Sequence, residues 1–322
     1  MTRILITDHV FPDLAIEHEV LAPLDAEIAL APATDEDTLA DLAAGAQGIL
    51  ACFAPVTGRV VDAAAAAGCR VIARYGIGYD NVDVAAATRH GMVVTNVPDY
   101  CLDEVADHTM TLLLAAARGL VPAVREVAND GWAIDHAGVH RIAGRTLALV
   151  GLGGIGRRVA ARALAFGLNV TAFDPFVDDP GVEGVVQAAT MADALAAADF
   201  VSLHAPATVE NHHLIDAEAI GGMGRRPILI NTGRGGLVDL DAAVAALDEG
   251  RLSGLALDVT EPEPLPSGHP LRRHPRAIIT PHMAFHSVEA TDELQRRAAT
   301  EVLRALTGLQ PDRPVNREVL AR

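Results

Sequence analysis

The chain contains no lysine: all 25 of its basic residues are arginine. That absence excludes Schiff-base chemistry on a lysine, a lysine general base and the lysine of a phosphate-binding P-loop. Aromatic residues are scarce at 3%, so the core must be packed largely with Ala, Val, Leu and Ile, as in layered α/β proteins. Cysteine is scarce too. Cys52, Cys69 and Cys101 are odd in number and widely spaced, which fits neither a disulfide framework nor a zinc site. A reduced, cytoplasmic setting is expected, with no resident metal. No apolar run reaches the roughly 18 residues of a membrane span. The start, Met1-Thr-Arg-Ile-Leu-Ile-Thr-Asp8, is too short and too soon acidic for a signal peptide, so a soluble protein is expected. Positive charge is outweighed, at a formal net charge of −17. This argues against nucleic acid or an anionic membrane as partner, since both are polyanions.

What is present centres on Thr146-Leu-Ala-Leu-Val-Gly-Leu-Gly-Gly-Ile-Gly156. Residues 147–150 form a continuous apolar run, the mark of a strand buried on both faces. Gly151, Gly153 and Gly156 follow in G-x-G-x-x-G spacing, with Gly154 and Ile155 between, and 157–166 reads as a helix. The first glycine permits a tight turn, the second lets a pyrophosphate approach the backbone, and the third lets helix pack on strand. The helix N-terminus would hold the phosphates. A second strand-like run, 168–173, ends in Asp174, where an acid roughly 20 residues on accepts hydrogen bonds from an adenosine ribose. Strand, helix and terminal acid in this order predict a dinucleotide site.

A chain of 322 residues suggests two domains. Short β-like runs at 3–7, 27–30, 48–52, 70–74 and 92–95 alternate with Ala-rich helical patterns such as 35–44 and 58–67, which means βαβ units and a parallel sheet. Val97-Pro98 breaks the pattern, and a long helix over 99–118 leads onward to a loop over 131–144 around Trp132. Strands are expected at 147–150, 168–173, 200–204, 227–231, 255–258 and 277–280, with helices at 191–198, 216–223 and 239–249 between them. The helical segment 288–308 is expected to return to the first domain. The expected class is therefore α/β with two domains. A doubly wound Rossmann cofactor domain spans 99–287, and a smaller flavodoxin-like substrate domain comprises 1–98 plus 288–322.

Ligands of doubly wound sheets bind outside the carboxyl ends of the strands, and several polar residues fall there. His204 follows one run and Asn231-Thr-Gly-Arg-Gly-Gly236 another; Asp258 closes a third, with Glu261 and Glu263 beyond it, and His282 follows Thr280-Pro281. Arg234, between glycines, offers a planar fork that grips a carboxylate. His282 is a candidate acid/base, because an imidazole titrates near neutrality without tuning. Either Glu263 or Glu261 could pair with it; composition does not choose.

Taken together, these motifs resemble the NAD-dependent D-2-hydroxyacid dehydrogenases over nearly the whole length. Further carrying segments are Arg74-Tyr-Gly-Ile-Gly-Tyr-Asp-Asn-Val-Asp83, Asn96-Val-Pro-Asp-Tyr-Cys101, Ser202-Leu-His-Ala-Pro206, Asp258-Val-Thr-Glu-Pro-Glu-Pro264 and Thr280-Pro-His282. The first two are similar to the branch that includes the C-terminal-binding proteins. The resemblance implies a catalytic set of Arg234, Glu263 and His282. It implies that Asp174 and Pro175 hold the adenosine ribose, and that His204, Ala205 and Pro206 line the adenine–ribose pocket. Thr232, Gly233 and Asp258 would sit on the nicotinamide side, beside Arg234 and His282. Backbone groups of Ile77 and Gly78 would receive a substrate carboxylate, with Tyr100 and Phe285 nearby; His286 stands where many relatives carry an aromatic or small residue, and is either a reader of the substrate's side chain or an unrelated surface histidine.

The implied reaction moves a hydride between NAD(H) and C2 of a small 2-hydroxy or 2-keto acid. His282 would exchange the proton, Glu263 stabilise its imidazolium and Arg234 anchor the carboxylate, with domain closure excluding water. NAD is expected over NADP, since Asp174 would repel a 2′-phosphate. A homodimer is implied by the family alone. Glu263 in place of glutamine disfavours a formate dehydrogenase, and a chain ending at Arg322 disfavours the long phosphoglycerate dehydrogenases. Two alternatives stay open: a phosphite- or phosphonate-acting dehydrogenase, and a non-catalytic dinucleotide-sensing scaffold or corepressor.

Overall fold

The computed structural model describes residues 2–133 and 139–321; residues 134–138 of the loop expected around Trp132 lie outside the described residues. The chain divides into two compact units, Met1–Tyr100 with Ser287–Arg322, and Cys101–His286.

In the first unit, β1 (Arg3–Ile6), β2 (Glu27–Leu30), β3 (Gly48–Ala51), β4 (Val71–Arg74) and β5 (Val93–Thr95) form one sheet in the order β2-β1-β3-β4-β5. All pairs are parallel, which gives the flavodoxin-like order. The central strands β3 and β4 are buried at every residue and read as apolar runs because helices cover both faces. Those helices are α1 (Ala15–Leu21), α2 (Glu36–Ala43), α3 (Gly58–Ala66) and α4 (Val84–Arg89). Asp35, Thr57 and Asp83 cap α2, α3 and α4, each side chain accepting from a backbone N–H three residues on. Leu39, Ile49, Val60, Ile72 and Val94 lie in the core between them.

The second unit begins with α5 (Leu102–Ala117) and α6 (Leu120–Ala128), then continues through β6 (Thr146–Val150), α7 (Gly154–Ala165), β7 (Asn169–Phe173) and β8 (Val185–Gln187). After α8 (Met191–Ala196) come β9 (Phe200–Leu203), α9 (Ala217–Gly221), β10 (Ile228–Asn231), α10 (Leu240–Asp248), β11 (Gly254–Leu257) and β12 (Ala277–Ile279). The seven strands are parallel in the order β12-β11-β10-β9-β6-β7-β8. This is a doubly wound sheet whose strand order reverses between β6 and β9, the place where such sheets bind ligands. Successive strand residues feed opposite layers: Leu229 joins Leu203, Leu247 and Leu255 on one face. Its neighbour Ile230 joins Leu113, Leu147 and Val159 on the other.

The nineteen-residue α11 (Val288–Leu306), capped by Ser287, returns to the first unit and packs on α1, β3 and β4. It carries Gln295 into a buried polar cluster. Glu17, fully buried on α1, accepts from Gln295 Nε2 at 3.0 Å and from Tyr75 Oη at 2.8 Å. Burial and the Glu17 charge hold the Tyr75 hydroxyl well above its usual pKa, so it stays a donor.

Three features differ from the sequence expectation. The strand β8 and the helix α6 were not expected. β8 has three residues, too few to show a period, and α6 buries none of its residues, so neither carries a core signature. Helix α7 starts at Gly154 rather than at Arg157. Glycine is unfavourable inside a helix, yet here it serves the first turn.

Candidate functional site

The glycine turn is held by close backbone approaches. Gly151 has φ +97, and a Cβ there would sit 2.6 Å from the backbone of His204 and Ala205. A Cβ on Gly156 would sit 2.4 Å from the Gly151 carbonyl oxygen, so this glycine lets α7 close onto the turn. A Cβ on Gly153, by contrast, would meet nothing within 4 Å. Open space above that residue, at the start of a twelve-residue helix, fits a pyrophosphate. At the end of β7, Asp174 accepts from Leu152 N at 2.8 Å through Oδ2 and from Phe176 N at 2.9 Å through Oδ1. Its carboxylate is fixed beside the turn and keeps lone pairs for two ribose hydroxyls. The nearby Arg157 spends its guanidinium on the carbonyls of Leu152 and Asp179. Pro175 is exposed beyond it.

The end of β9 carries His204, Ala205 and Pro206. Burial pushes the His204 imidazole down to about 4, so it is neutral at pH 7 and shares a 2.9 Å hydrogen bond with Ser202 Oγ. On β10, the Asn231 side chain clasps the next turn: Oδ1 accepts from Gly233 N at 3.0 Å and Nδ2 donates to the Arg234 carbonyl at 2.8 Å. A Cβ on Gly235 would lie 2.1 Å from the Thr260 carbonyl oxygen, so only glycine fits after Arg234. Thr232 Oγ1 lies 2.8 Å from Thr109 Oγ1 on α5.

Asp258, 2% exposed at the end of β11, organises the loop that bears His282. It accepts from Thr280 Oγ1 at 2.5 Å, Met283 N at 3.0 Å and Ala284 N at 2.8 Å. His108 Nε2 stands 3.5 Å from it and 3.1 Å from Thr280 Oγ1. Burial pushes the Asp258 carboxyl up, but these hydrogen bonds outweigh it and bring the pKa down to about 2. Inside the loop thus held, His282 adopts φ +51, and its Nδ1 meets Glu263 Oε1 at 2.5 Å. Glu261 turns to His212 instead, which decides between the two glutamates. The Phe285 ring stands edge-on to both His282 and His286, at 6.4 Å and 6.3 Å between centroids.

Arg234, Glu263 and His282 therefore follow three adjacent strands, β10, β11 and β12, at one edge of the sheet that also carries the glycine turn. Ile77, Gly78 and Tyr100 belong to the first unit. The Ile77 carbonyl there accepts from Asn96 Nδ2 at 2.7 Å in the loop after β4. Sequence reasoning missed His108 and Thr109, which sit on a helix with no motif around them.

The role of Asp258 in holding this loop has a measurable consequence. Its folded pKa of about 2 lies below the ordinary 3.8, so its stabilisation is present above pH 4 and is lost as pH falls towards 2. Asp258→Asn is expected to cost about 2–3 kcal/mol at pH 7, and urea unfolding should show the gap closing between pH 4 and pH 2. A gap that does not change with pH would overturn this account.

Comparison with known proteins places the chain. The model for the NAD-binding domain of D-isomer specific 2-hydroxyacid dehydrogenases matches residues 110–284. A glyoxylate reductase of Korarchaeum cryptofilum is 38% identical over 275 residues, 83% of this chain and 81% of that protein. A D-3-phosphoglycerate dehydrogenase of Methanocaldococcus jannaschii is 35% identical over 98% of this chain, which spans 60% of that longer protein. Among solved structures, an NADPH-dependent glyoxylate/hydroxypyruvate reductase of Sinorhizobium meliloti, held with NADP and malonate, superposes with a TM-score of 0.86. It is 30% identical, with 98% of this chain and 96% of that one covered. Matched by that model over more than half its length, the chain belongs to the D-isomer specific 2-hydroxyacid dehydrogenases, and is thus an oxidoreductase that works with a nicotinamide dinucleotide.

Proposed function

We propose that this enzyme reduces small 2-keto acids with NADH, glyoxylate and hydroxypyruvate first among them, and oxidises the corresponding 2-hydroxy acids in reverse. The observation that carries this reading is the 2.5 Å pair between His282 Nδ1 and Glu263 Oε1, one strand away from the Arg234 turn. The two named substrates are suggested by the glyoxylate reductase and glyoxylate/hydroxypyruvate reductase relatives.

When bound, the dinucleotide supplies or accepts the hydride at C2 of the substrate. Gly151, Gly153 and Gly156 would seat its pyrophosphate, and Asp174 its ribose. Arg234 binds the substrate carboxylate with two parallel hydrogen bonds and orients the keto group. Because Glu263 engages Nδ1, His282 exchanges its proton through Nε2. It donates to the keto oxygen during reduction and takes the hydroxyl proton during oxidation. The Glu263 carboxylate, 2.5 Å from Nδ1, fixes the ring for that exchange. Thr232 and Asp258 act behind these groups: one is tied to α5, the other fixes the His282 loop.

NAD is favoured over NADP because the Asp174 carboxylate is pinned by two backbone N–H groups and Arg157, the neighbouring cation, is engaged elsewhere. A 2′-phosphate there would face an unrelieved like charge, which costs several kcal/mol. The test is NADH and NADPH oxidation against glyoxylate, hydroxypyruvate and pyruvate, with phosphite and NAD as the contrasting pair. Turnover of a two- or three-carbon keto acid is expected, with kcat/KM at least about tenfold higher for NADH. No turnover of any keto acid would overturn the substrate class, and a preference for NADPH would overturn the cofactor reading.

A further inference from the structure

His212 and His213 stand side by side beyond β9, with their rings stacked and the centroids 3.9 Å apart. Glu261, in the loop after β11, brings Oε2 to 2.9 Å from His212 Nε2 and 3.5 Å from His213 Nε2. The three ligand atoms all lie within 4.8 Å of one another. Among the described residues this is the one group of three His, Cys, Asp or Glu side chains whose donor atoms converge in this way. None of the three has a part in the reaction assigned above.

The arrangement is held from the backbone. His213 N donates to the Gly236 carbonyl at 2.7 Å, and His213 sits at φ +55, a conformation that a histidine adopts uncommonly. Asn211 ties the approach, accepting from Thr208 N and donating to the Pro206 carbonyl, each at 2.7 Å. Gly236 leaves the room the cluster needs, since a Cβ there would lie 3.2 Å from His212 Cδ2 and 3.4 Å from Glu261 Oε2.

We propose that His212, His213 and Glu261 form a binding site for a divalent transition-metal ion of the zinc class, with water completing the coordination. Two imidazoles and one carboxylate are a ligand set that zinc accepts in tetrahedral geometry. With metal–ligand bonds of about 2.0–2.2 Å, ligand atoms in such a site stand roughly 3.3–3.5 Å apart. Of the separations from the shared carboxylate oxygen, 3.5 Å matches that value and 2.9 Å lies a few tenths of an ångström below it. The side chains are about half exposed, so an ion can enter and leave without opening the fold. Once bound, it joins residues 206–213 to the loop that carries Glu263. The site is independent of which acid the enzyme reduces.

Chelator-stripped full-length protein titrated with zinc chloride in a calorimeter tests this. The expected result is one tight zinc per chain, with affinity lowered at least about tenfold in both His213→Asn and Glu261→Gln. Asparagine tolerates the positive φ at position 213, and far-UV circular dichroism checks that each variant is folded. As a control, His90→Asn, which removes the exposed His90–Asp62 pair elsewhere, should leave the affinity unchanged. Imidazole NMR signals of His212 and His213 should shift on zinc addition. Equal zinc affinity in wild type and both variants, or no zinc bound by the wild type, overturns the proposal.

Discussion

His282→Asn should lower kcat by roughly 10²–10⁴-fold, the range expected when a positioned acid/base is removed, with NADH binding retained. Asparagine is the replacement of choice because position 282 sits at φ +51, and Asn enters that region more readily than most residues. The loop itself is fixed by other groups: the Asp258 carboxylate takes Thr280 Oγ1 and the Met283 and Ala284 amides, while the Asp258 carbonyl accepts His282 N at 2.8 Å. Removing the imidazole therefore deletes the proposed proton donor and leaves its scaffold. Glu263→Gln is the milder partner, since the amide can still accept at Nδ1 and only the charge is lost. Steady-state kinetics with the best keto acid, together with NADH fluorescence titration, separates chemistry from binding. A variant within tenfold of wild type in kcat would remove His282 from the proton path.

What could be read in advance follows the range of the interaction that sets it. The glycine turn is local: Gly151, Gly153 and Gly156 are dictated by a strand, a turn and a helix within one short segment, so the strand–turn–helix and the position of Asp174 at the end of β7 were legible as structure. The choice between Glu261 and Glu263 was not legible from composition or spacing, and only the family resemblance pointed to Glu263. That choice depends on how the loop after β11 meets residues 212 and 282, which lie 49 and 19 positions away. Composition assigns the same chemistry to both. His108 was invisible for the same reason, because its partner Thr280 is 172 positions distant and α5 shows only helical periodicity around it. The convergence of His212, His213 and Glu261 was likewise illegible, since Glu261 comes from another strand end. Strand order was legible in class, because alternating βα units force parallel sheets. The edge strand β8 was not, being half exposed and held by pairing with β7 alone.

Arg234→Ala should cost about 2.7–4 kcal/mol of transition-state stabilisation, or roughly 10²–10³-fold in kcat/KM. The Arg234 side chain adds one hydrogen bond to the turn that presents it, from Nη1 to the Gly233 carbonyl at 2.9 Å, and the turn has other supports. Asn231 clasps the backbone from within β10, and the Thr260 carbonyl packs where a Cβ on Gly235 would be. The loss therefore falls on catalysis and leaves folding intact. Arg234→Lys should recover little, because an ammonium keeps the charge but cannot form two parallel bonds to a planar carboxylate. Added guanidinium chloride should restore part of the alanine variant's activity and none of the lysine variant's, whose side chain fills the space. That pattern distinguishes a missing fork from a missing charge. Equal activity in the lysine variant and wild type would mean that Arg234 acts as a point charge. An alanine variant with unchanged KM and kcat would show that the carboxylate is held by other groups, and the role given to the β10 turn would fall.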